Sequence, residues 1–198
     1  MTATPETRRA GRRTLIGLFA LFFAPLLFAM AWYAFAPGYT PPSKPHGTLI
    51  EPARPLEPFR LKSEEGETLT LDELRGHWYL VHFVPERCGE ACRERLYETR
   101  QVRDALGEDR SRVRRLVVAG TGRSTPGLAD AREEHPRLVV MQGEGRGEFG
   151  RQFPEERGTG TVFLVDPNGN LMMRFAPDLP PDDMLKDLEK LLKLSRIG

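Results

Sequence analysis

The two cysteines of this chain stand in Cys88-Gly89-Glu90-Ala91-Cys92, directly behind the apolar run Tyr79-Leu80-Val81-His82-Phe83-Val84. A strand that ends in a loop and re-enters as a helix leaves unpaired backbone N–H groups at the helix start, and these favour a thiolate over a thiol. Cys88 is therefore expected to be the reactive sulfur. With the spacing i, i+4, both sulfurs can face one side of the helix and either chelate one soft metal ion or join as a disulfide. The basic neighbours Arg87, Arg93 and Arg95 add to the preference for thiolate. Thiol redox, metal binding and a plain structural disulfide in an exported domain are the chemistries open to the pair.

The chain that must carry this pair divides by composition. Residues 1–13 hold Arg8, Arg9, Arg12 and Arg13 and are expected in the cytoplasm. Thr14 to Ala36 has no charged residue and, at about 1.5 Å rise per residue, reaches across a hydrocarbon core of roughly 30 Å. It reads as a transmembrane helix. No comparable basic cluster follows at once, so the positive-inside rule puts everything after Pro37 outside, with Trp32 and Tyr33 at the outer interface. The competing reading is a cleaved signal peptide, for which Ala29-Met30-Ala31 and Ala34-Phe35-Ala36 supply small-residue cleavage sites. Residues 37–58 carry Pro41, Pro42, Pro45, Pro52, Pro55 and Pro58 and are expected to be an extended periplasmic spacer. Residues 59–198 remain for one domain of common size. With 29 Lys+Arg against 28 Asp+Glu there is no basic excess that would point to nucleic acid.

Within 59–198, hydrophobic periodicity and turn residues predict an order of elements. Phe59-Arg60-Leu61 and Leu69-Thr70-Leu71 form a hairpin about Glu65-Gly66, and a short helical turn follows at Asp72-Glu73-Leu74. His77 to Val84 is the core strand, and the cysteine helix runs from about Gly89 to Leu106. Strands at Arg114 to Ala119 and Leu138 to Met141 flank a helix at Gly127 to Glu134. Gly145 to Phe153 is weakly helical. Thr161 to Val165 and Leu171 to Phe175 pair across Asp166-Pro167-Asn168-Gly169, and Asp182 to Leu194 is amphipathic, with Leu185, Leu188, Leu191 and Leu192 facing the core. Such alternation implies an α/β fold, a mixed sheet covered on both faces.

That order, with a cysteine pair at the C-terminal end of the first long strand, resembles the thioredoxin fold. More narrowly, residues 59–192 resemble the Sco/SenC family of membrane-anchored copper chaperones. The resemblance is carried by Phe59-Arg60-Leu61 with Gly66, by Leu71-Asp72-Glu73-Leu74-Arg75-Gly76-His77-Trp78, by the Cys-x-x-x-Cys spacing, and by Phe163-Leu164-Val165-Asp166-Pro167-Asn168-Gly169. It implies Cu(I) held by Cys88 and Cys92, an inner-membrane location with a periplasmic domain, and a respiratory oxidase subunit or its assembly factors as partner. On this reading the pair assists cytochrome c oxidase assembly, by Cu(I) delivery or by reducing a partner's copper-site cysteines. The alternatives are a non-catalytic assembly scaffold whose disulfide is structural, and a general periplasmic thiol-disulfide oxidoreductase.

The chain departs from the family pattern at three places. Arg93 stands where a proline usually follows the second cysteine, Gly158 where a histidine supplies a third copper ligand, and Gly160 where thioredoxin-like reductases carry a cis-proline. Other side chains are candidates for the third place. His135 is expected at the sheet end opposite the cysteines, as a surface histidine. Met141 is expected at the cysteine end, where its thioether would suit Cu(I), although a core methionine is the plainer reading. His46 could fold back from the spacer, and one of Met172 and Met173 should face the core. Two thiolates alone can hold Cu(I), whereas zinc would need four ligands.

Overall fold

The computed structural model describes residues 5–35, 44–84, 86–120, 125–158, 160–195 and 197, in two compact units, Met1–Lys44 and Pro45–Gly198. In the first, helix α1 (Pro5–Phe35) contains Pro25. Its described side chains, Leu15 and those of 17–32, are exposed. Among the described residues no helix is long and apolar enough to cross a membrane. The uninterrupted stretch of described side chains, 17–32, is roughly 24 Å of helix at about 1.5 Å per residue, against a hydrocarbon core of roughly 30 Å.

The second unit is built on a six-stranded sheet. Its strands are β1 (Thr48–Pro55), β4 (Trp78–Phe83), β5 (Val113–Val118), β6 (Leu138–Met141), β7 (Val162–Val165) and β8 (Asn170–Phe175), in the order β1-β8-β7-β4-β5-β6. β4, β5 and β6 are parallel, and β7, β8 and β1 continue antiparallel on the other side of β4. Every residue of β4 is buried, as expected of a central strand covered on both faces. The parallel pairs are joined by α3 (Glu90–Ala105) and α4 (Leu128–Glu134), and α6 (Pro181–Leu194) closes the chain. A separate hairpin, β2 (Arg60–Lys62) with β3 (Thr68–Thr70), and the short helices α2 (Leu71–Leu74) and α5 (Arg146–Arg151) complete the unit. The expected mixed α/β sheet is present, and each predicted element from the hairpin onward lies within a few residues of its place.

One expectation needs correction. The prolines of 37–58 suggest a spacer, yet Thr48–Pro55 is an edge strand of the sheet. An edge strand pairs along one side only, so proline's missing N–H can face solvent without cost to the ladder. The register of β1 on β8 slips between Leu49 and Arg54, around Pro52. Residues 37–43 of the expected spacer lie outside the described residues.

The two faces of the sheet are packed differently. On one, Tyr79, Val81, Phe83, Leu116, Val118, Met141 and Phe163 pack with Leu61, Leu69, Leu74 and Phe149 from the hairpin and short helices. Phe83 meets Phe153 edge-on at 4.9 Å, and Phe149 lies 4.5 Å from Phe59; aromatic pairs of this kind add about 0.5–1.5 kcal/mol each beyond burial. On the other face, Leu80, Leu164, Met173 and Phe175 pack with Met184, Leu188 and Leu192 of α6, and Val84, Cys88, Leu96, Val117 and Leu138 belong to a further cluster. Met173 is buried and Met172 partly so, as their alternation requires.

Candidate functional site

The cysteine helix begins where β4 runs out. Gly89 is the N-cap of α3 and supplies no side-chain acceptor, so the first-turn N–H groups face the cysteine loop. Cys88 and Cys92 are joined in a disulfide with Cα atoms 5.1 Å apart. The pair is therefore described in its oxidised state, and the metal-holding form requires its reduction. Cys88 is only 1% exposed, and its N–H donates to the Pro126 carbonyl at 3.0 Å. Cys92 is partly exposed and lines a cavity of about 520 Å³. In the disulfide Cys92 is thus the more exposed of the two residues. Pro126 and Gly127 cover Cys88.

The register explains what else reaches this end of the sheet. His82 pairs with Val162, and Val162 with Phe175, so the chain entering β7 and the chain leaving β8 both lie beside the end of β4. Gly158, Gly160, Thr161 and Pro177 accordingly line the cavity with Cys92. No heavy atom comes within 4 Å of a Cβ built on Gly158, so the place of the family's histidine is open space. At Gly160 the nearest atom to such a Cβ is Pro177 Cβ at 3.3 Å.

Beneath α3 runs a buried basic seam that the sequence did not announce. The Arg95 guanidinium, 5% exposed, donates to the carbonyls of Ala176 at 2.7 Å and Leu179 at 3.2 Å and to Glu98 at 2.8 Å, tying the cysteine helix to the chain after β8. Arg115 Nη1 donates to the Leu96 carbonyl at 2.9 Å. His82 Nε2 and Thr99 Oγ1 share a hydrogen bond of 3.2 Å. Burial above all, then Arg115 and Arg95, pushes His82 down to about 3, so it is a neutral ring at pH 7. Arg95 and Thr99 lie at helical spacing from Cys88 and Cys92, on one buried stripe, and that spacing was the available signal. Of the three arginines expected to favour thiolate, Arg87 and Arg93 are exposed and Arg95 is spent on carbonyls.

The remaining donors fall away from the pair. Met141 is level with Phe83 across the sheet, at the cysteine end as expected, but it packs into the opposite face. His46 Nδ1 lies 3.2 Å from Asp187 Oδ1 on α6. His135 is at the far end of the sheet as expected, but it is 2% exposed, so its placement as a surface histidine is corrected: it is covered beside Arg115. Among the described residues no group of three or more His, Cys, Asp or Glu could hold a metal ion. The donor set at the loop is two sulfurs, which fits a soft two-coordinate ion and does not fit zinc or a nitrogen-rich Cu(II) site.

Comparison with known proteins agrees with this architecture. The family model described as a transmembrane-like, thioredoxin-like C-terminal domain matches residues 78–195, and the chain belongs to that family. No curated protein matches it. Among solved structures, apo Sco1 from Thermus thermophilus superposes with a TM-score of 0.64 at 23% identity over 77% of this chain and 100% of the other. Copper-bound ScoI from Bradyrhizobium japonicum gives 0.56 at 21% over 69% and 98%. BsSco, a member of the Sco family of cytochrome c oxidase assembly proteins in which a disulfide switch was identified, gives 0.55 at 17% over 77% and 98%. At these identities the likeness is one of fold, and that fold is thioredoxin-like.

Proposed function

We propose that this protein is a membrane-anchored, periplasmic thioredoxin-like factor that serves assembly of a respiratory oxidase through Cys88 and Cys92. The observation that carries the reading is the Cys88–Cys92 disulfide with one covered sulfur and one at the mouth of a cavity. Support for the oxidase setting comes from Sco proteins of the same fold, one of them solved with copper bound and one assigned to oxidase assembly. Thr14 to Ala36 is the anchor on this reading, with an uncharged sequence and arginines on its cytoplasmic side.

In the reduced protein the Cys92 thiolate attacks one sulfur of a partner disulfide. A bond forms between Cys92 Sγ and that sulfur while the partner's other sulfur leaves as a thiolate. Cys88 then attacks Cys92 Sγ and releases the second partner thiolate. Two electrons have passed to the partner, and the Cys88–Cys92 disulfide of this structure is the product state. The same two thiolates bind Cu(I) as cargo when both are reduced, so delivery and reduction use one site in one oxidation state. Open backbone at Gly158 in place of a histidine favours the redox branch, because no nitrogen donor is there to hold Cu(II).

Measuring the reduction potential of the full chain and its Cu(I) stoichiometry tests the proposal. A potential well above about −300 mV, with one Cu(I) per reduced chain lost in Cys88→Ser and in Cys92→Ser, is expected. A potential below that value with no Cu(I) bound would make the disulfide structural and the protein a scaffold. Retention in membranes after an alkaline wash, and activity of a periplasm-dependent reporter fused after Gly198, test the anchor. A shortened soluble product would show a cleaved signal instead.

A further inference from the structure

At the end of the sheet opposite the cysteines, β5 and β6 begin side by side, with Arg115 paired to Leu138. A cavity of about 240 Å³ opens there, lined by Arg100, Arg103, Asp104, Arg115, His135 and Arg137. Four guanidinium groups face one carboxylate. Asp104 is shared, 3.7 Å from Arg100 Nε and 3.6 Å from Arg103 Nη1, and so offsets little of the positive charge. Arg103 donates through Nε to the Val113 carbonyl at 2.6 Å, and Arg100 Nη1 to the Glu134 carbonyl at 2.9 Å.

Among the described residues, two buried nitrogens at this cavity lack hydrogen-bond partners. Arg115, 2% exposed, uses Nη1 on the Leu96 carbonyl, while its buried Nε has no hydrogen-bond partner. His135, also 2% exposed, leaves Nδ1 without one. A buried donor left unmade costs about 1–3 kcal/mol, more when it is charged, and a buried cation without a counter-ion is costlier still. Burial, then Arg103, pushes the Arg115 guanidinium down to about 10, as an uncompensated buried cation should show. Apart from the shared Asp104, no carboxylate lines this cavity among the described residues.

We propose that this cavity is a binding site for a phosphate-class oxyanion, with Arg115 and His135 as its buried donors and Arg100, Arg103 and Arg137 around them. A tetrahedral dianion offers acceptors in several directions and matches the forked N–H geometry of arginine. The volume falls below the roughly 300–1,000 Å³ of sites for drug-sized ligands, so the ligand is inorganic phosphate or the phosphate of a small headgroup. The proposal is independent of the cysteine chemistry. It touches that chemistry mechanically, because Arg115 also holds the carbonyl of Leu96 on the helix that carries Cys92.

Calorimetric titration of the full chain in neutral detergent with inorganic phosphate, against chloride at matched ionic strength, tests the site. Saturable binding to phosphate with a rise in unfolding temperature is expected, and chloride should produce neither. Arg137 is exposed, so Arg137→Gln should fold normally and weaken binding at least roughly tenfold, the loss of one charge-assisted hydrogen bond. Lys193→Gln removes the same charge at a residue that does not line the cavity and should leave binding unchanged. Glycerol 3-phosphate separates the sources: comparable affinity assigns the site to free phosphate, and at least tenfold tighter binding assigns it to a lipid-type headgroup. No saturable binding to either probe, equal effects of chloride, or equal weakening by Lys193→Gln and Arg137→Gln would overturn the proposal.

Discussion

Gly127→Ala asks directly what covers Cys88. Gly127 has φ +80, and a Cβ built there would stand 2.4 Å from the Cys88 carbonyl oxygen and 3.7 Å from Arg93 Nη1. Two costs add. The left-handed backbone costs an L-residue about 1–2 kcal/mol. The segment must also retreat from Cys88, which breaks the hydrogen bond from the Cys88 N–H to the Pro126 carbonyl, worth about 0.5–1.5 kcal/mol net. Gly158→Ala is the matched control, since φ is +89 there and nothing lies within 4 Å of the new Cβ, so only the first cost applies. The expected losses are about 1–2 kcal/mol for Gly158→Ala and about 1.5–3.5 kcal/mol for Gly127→Ala. At about 2–4 °C per kcal/mol for a domain of this size, the second cost alone should make Gly127→Ala unfold roughly 1–6 °C below the control. Thermal unfolding of the oxidised full chain, followed by near-ultraviolet circular dichroism, reads the difference. Equal losses in the two variants would refute the argument that the Pro126–Gly127 segment clamps the cysteine loop.

After reduction, a small alkylating agent should label Cys92 before Cys88, because only Cys92 lines the cavity; equal labelling rates in peptide mapping would remove the proposed order of attack. His82 takes up no proton in the fold above about 3, while the unfolded ring titrates near 6.5, so stability is full above pH 6.5 and falls as the pH drops from there toward 3. The decline from this residue is at most about 1.4 kcal/mol per pH unit, and His82→Gln should flatten it in urea unfolding across that range. Gly158→His places an imidazole in open space beside the cavity that Cys92 lines, and the reduced variant should gain a visible sulfur-to-copper band with Cu(II) that the parent lacks. A band of equal strength in the parent would reveal a nitrogen ligand other than residue 158.

Much of the framework was legible because it rests on local periodicity. The all-apolar β4, the turn at Asp166-Pro167-Asn168-Gly169 and the leucine stripe of α6 each carry a pattern that one element imposes on its own residues. β1 was missed because its prolines argue for a spacer, and only the position of a strand at the sheet edge makes them acceptable. The burial of His135 and Arg115 escaped for a related reason. Arginine and histidine read as surface residues one at a time, and their burial depends on how α3 lies over β5. The cysteine pair could be found from spacing, but not which sulfur is covered. That depends on Gly127, thirty-nine residues after Cys88, whose missing side chain lets the chain approach the Cys88 carbonyl.

The departures at Gly158 and Gly160 and the cavity beside Cys92 are one physical fact. Gly158 and Gly160 both line that cavity; a Cβ at 160 would meet Pro177 at 3.3 Å, and one at 158 would enter open space. Without them the partly exposed Cys92 faces a recess whose walls include Gly158, Gly160, Thr161 and the charged residues Arg87, Glu90 and Glu94. Arg95 closes the base of this arrangement by holding the carbonyls of Ala176 and Leu179, which fixes the chain bearing Pro177 against α3. A metal ligand at 158 would occupy the recess; its absence leaves room for a polypeptide segment to bring its own sulfur to Cys92. On the proposed reading, the open position at 158 and the approach to Cys92 serve one step, thiolate exchange with a partner.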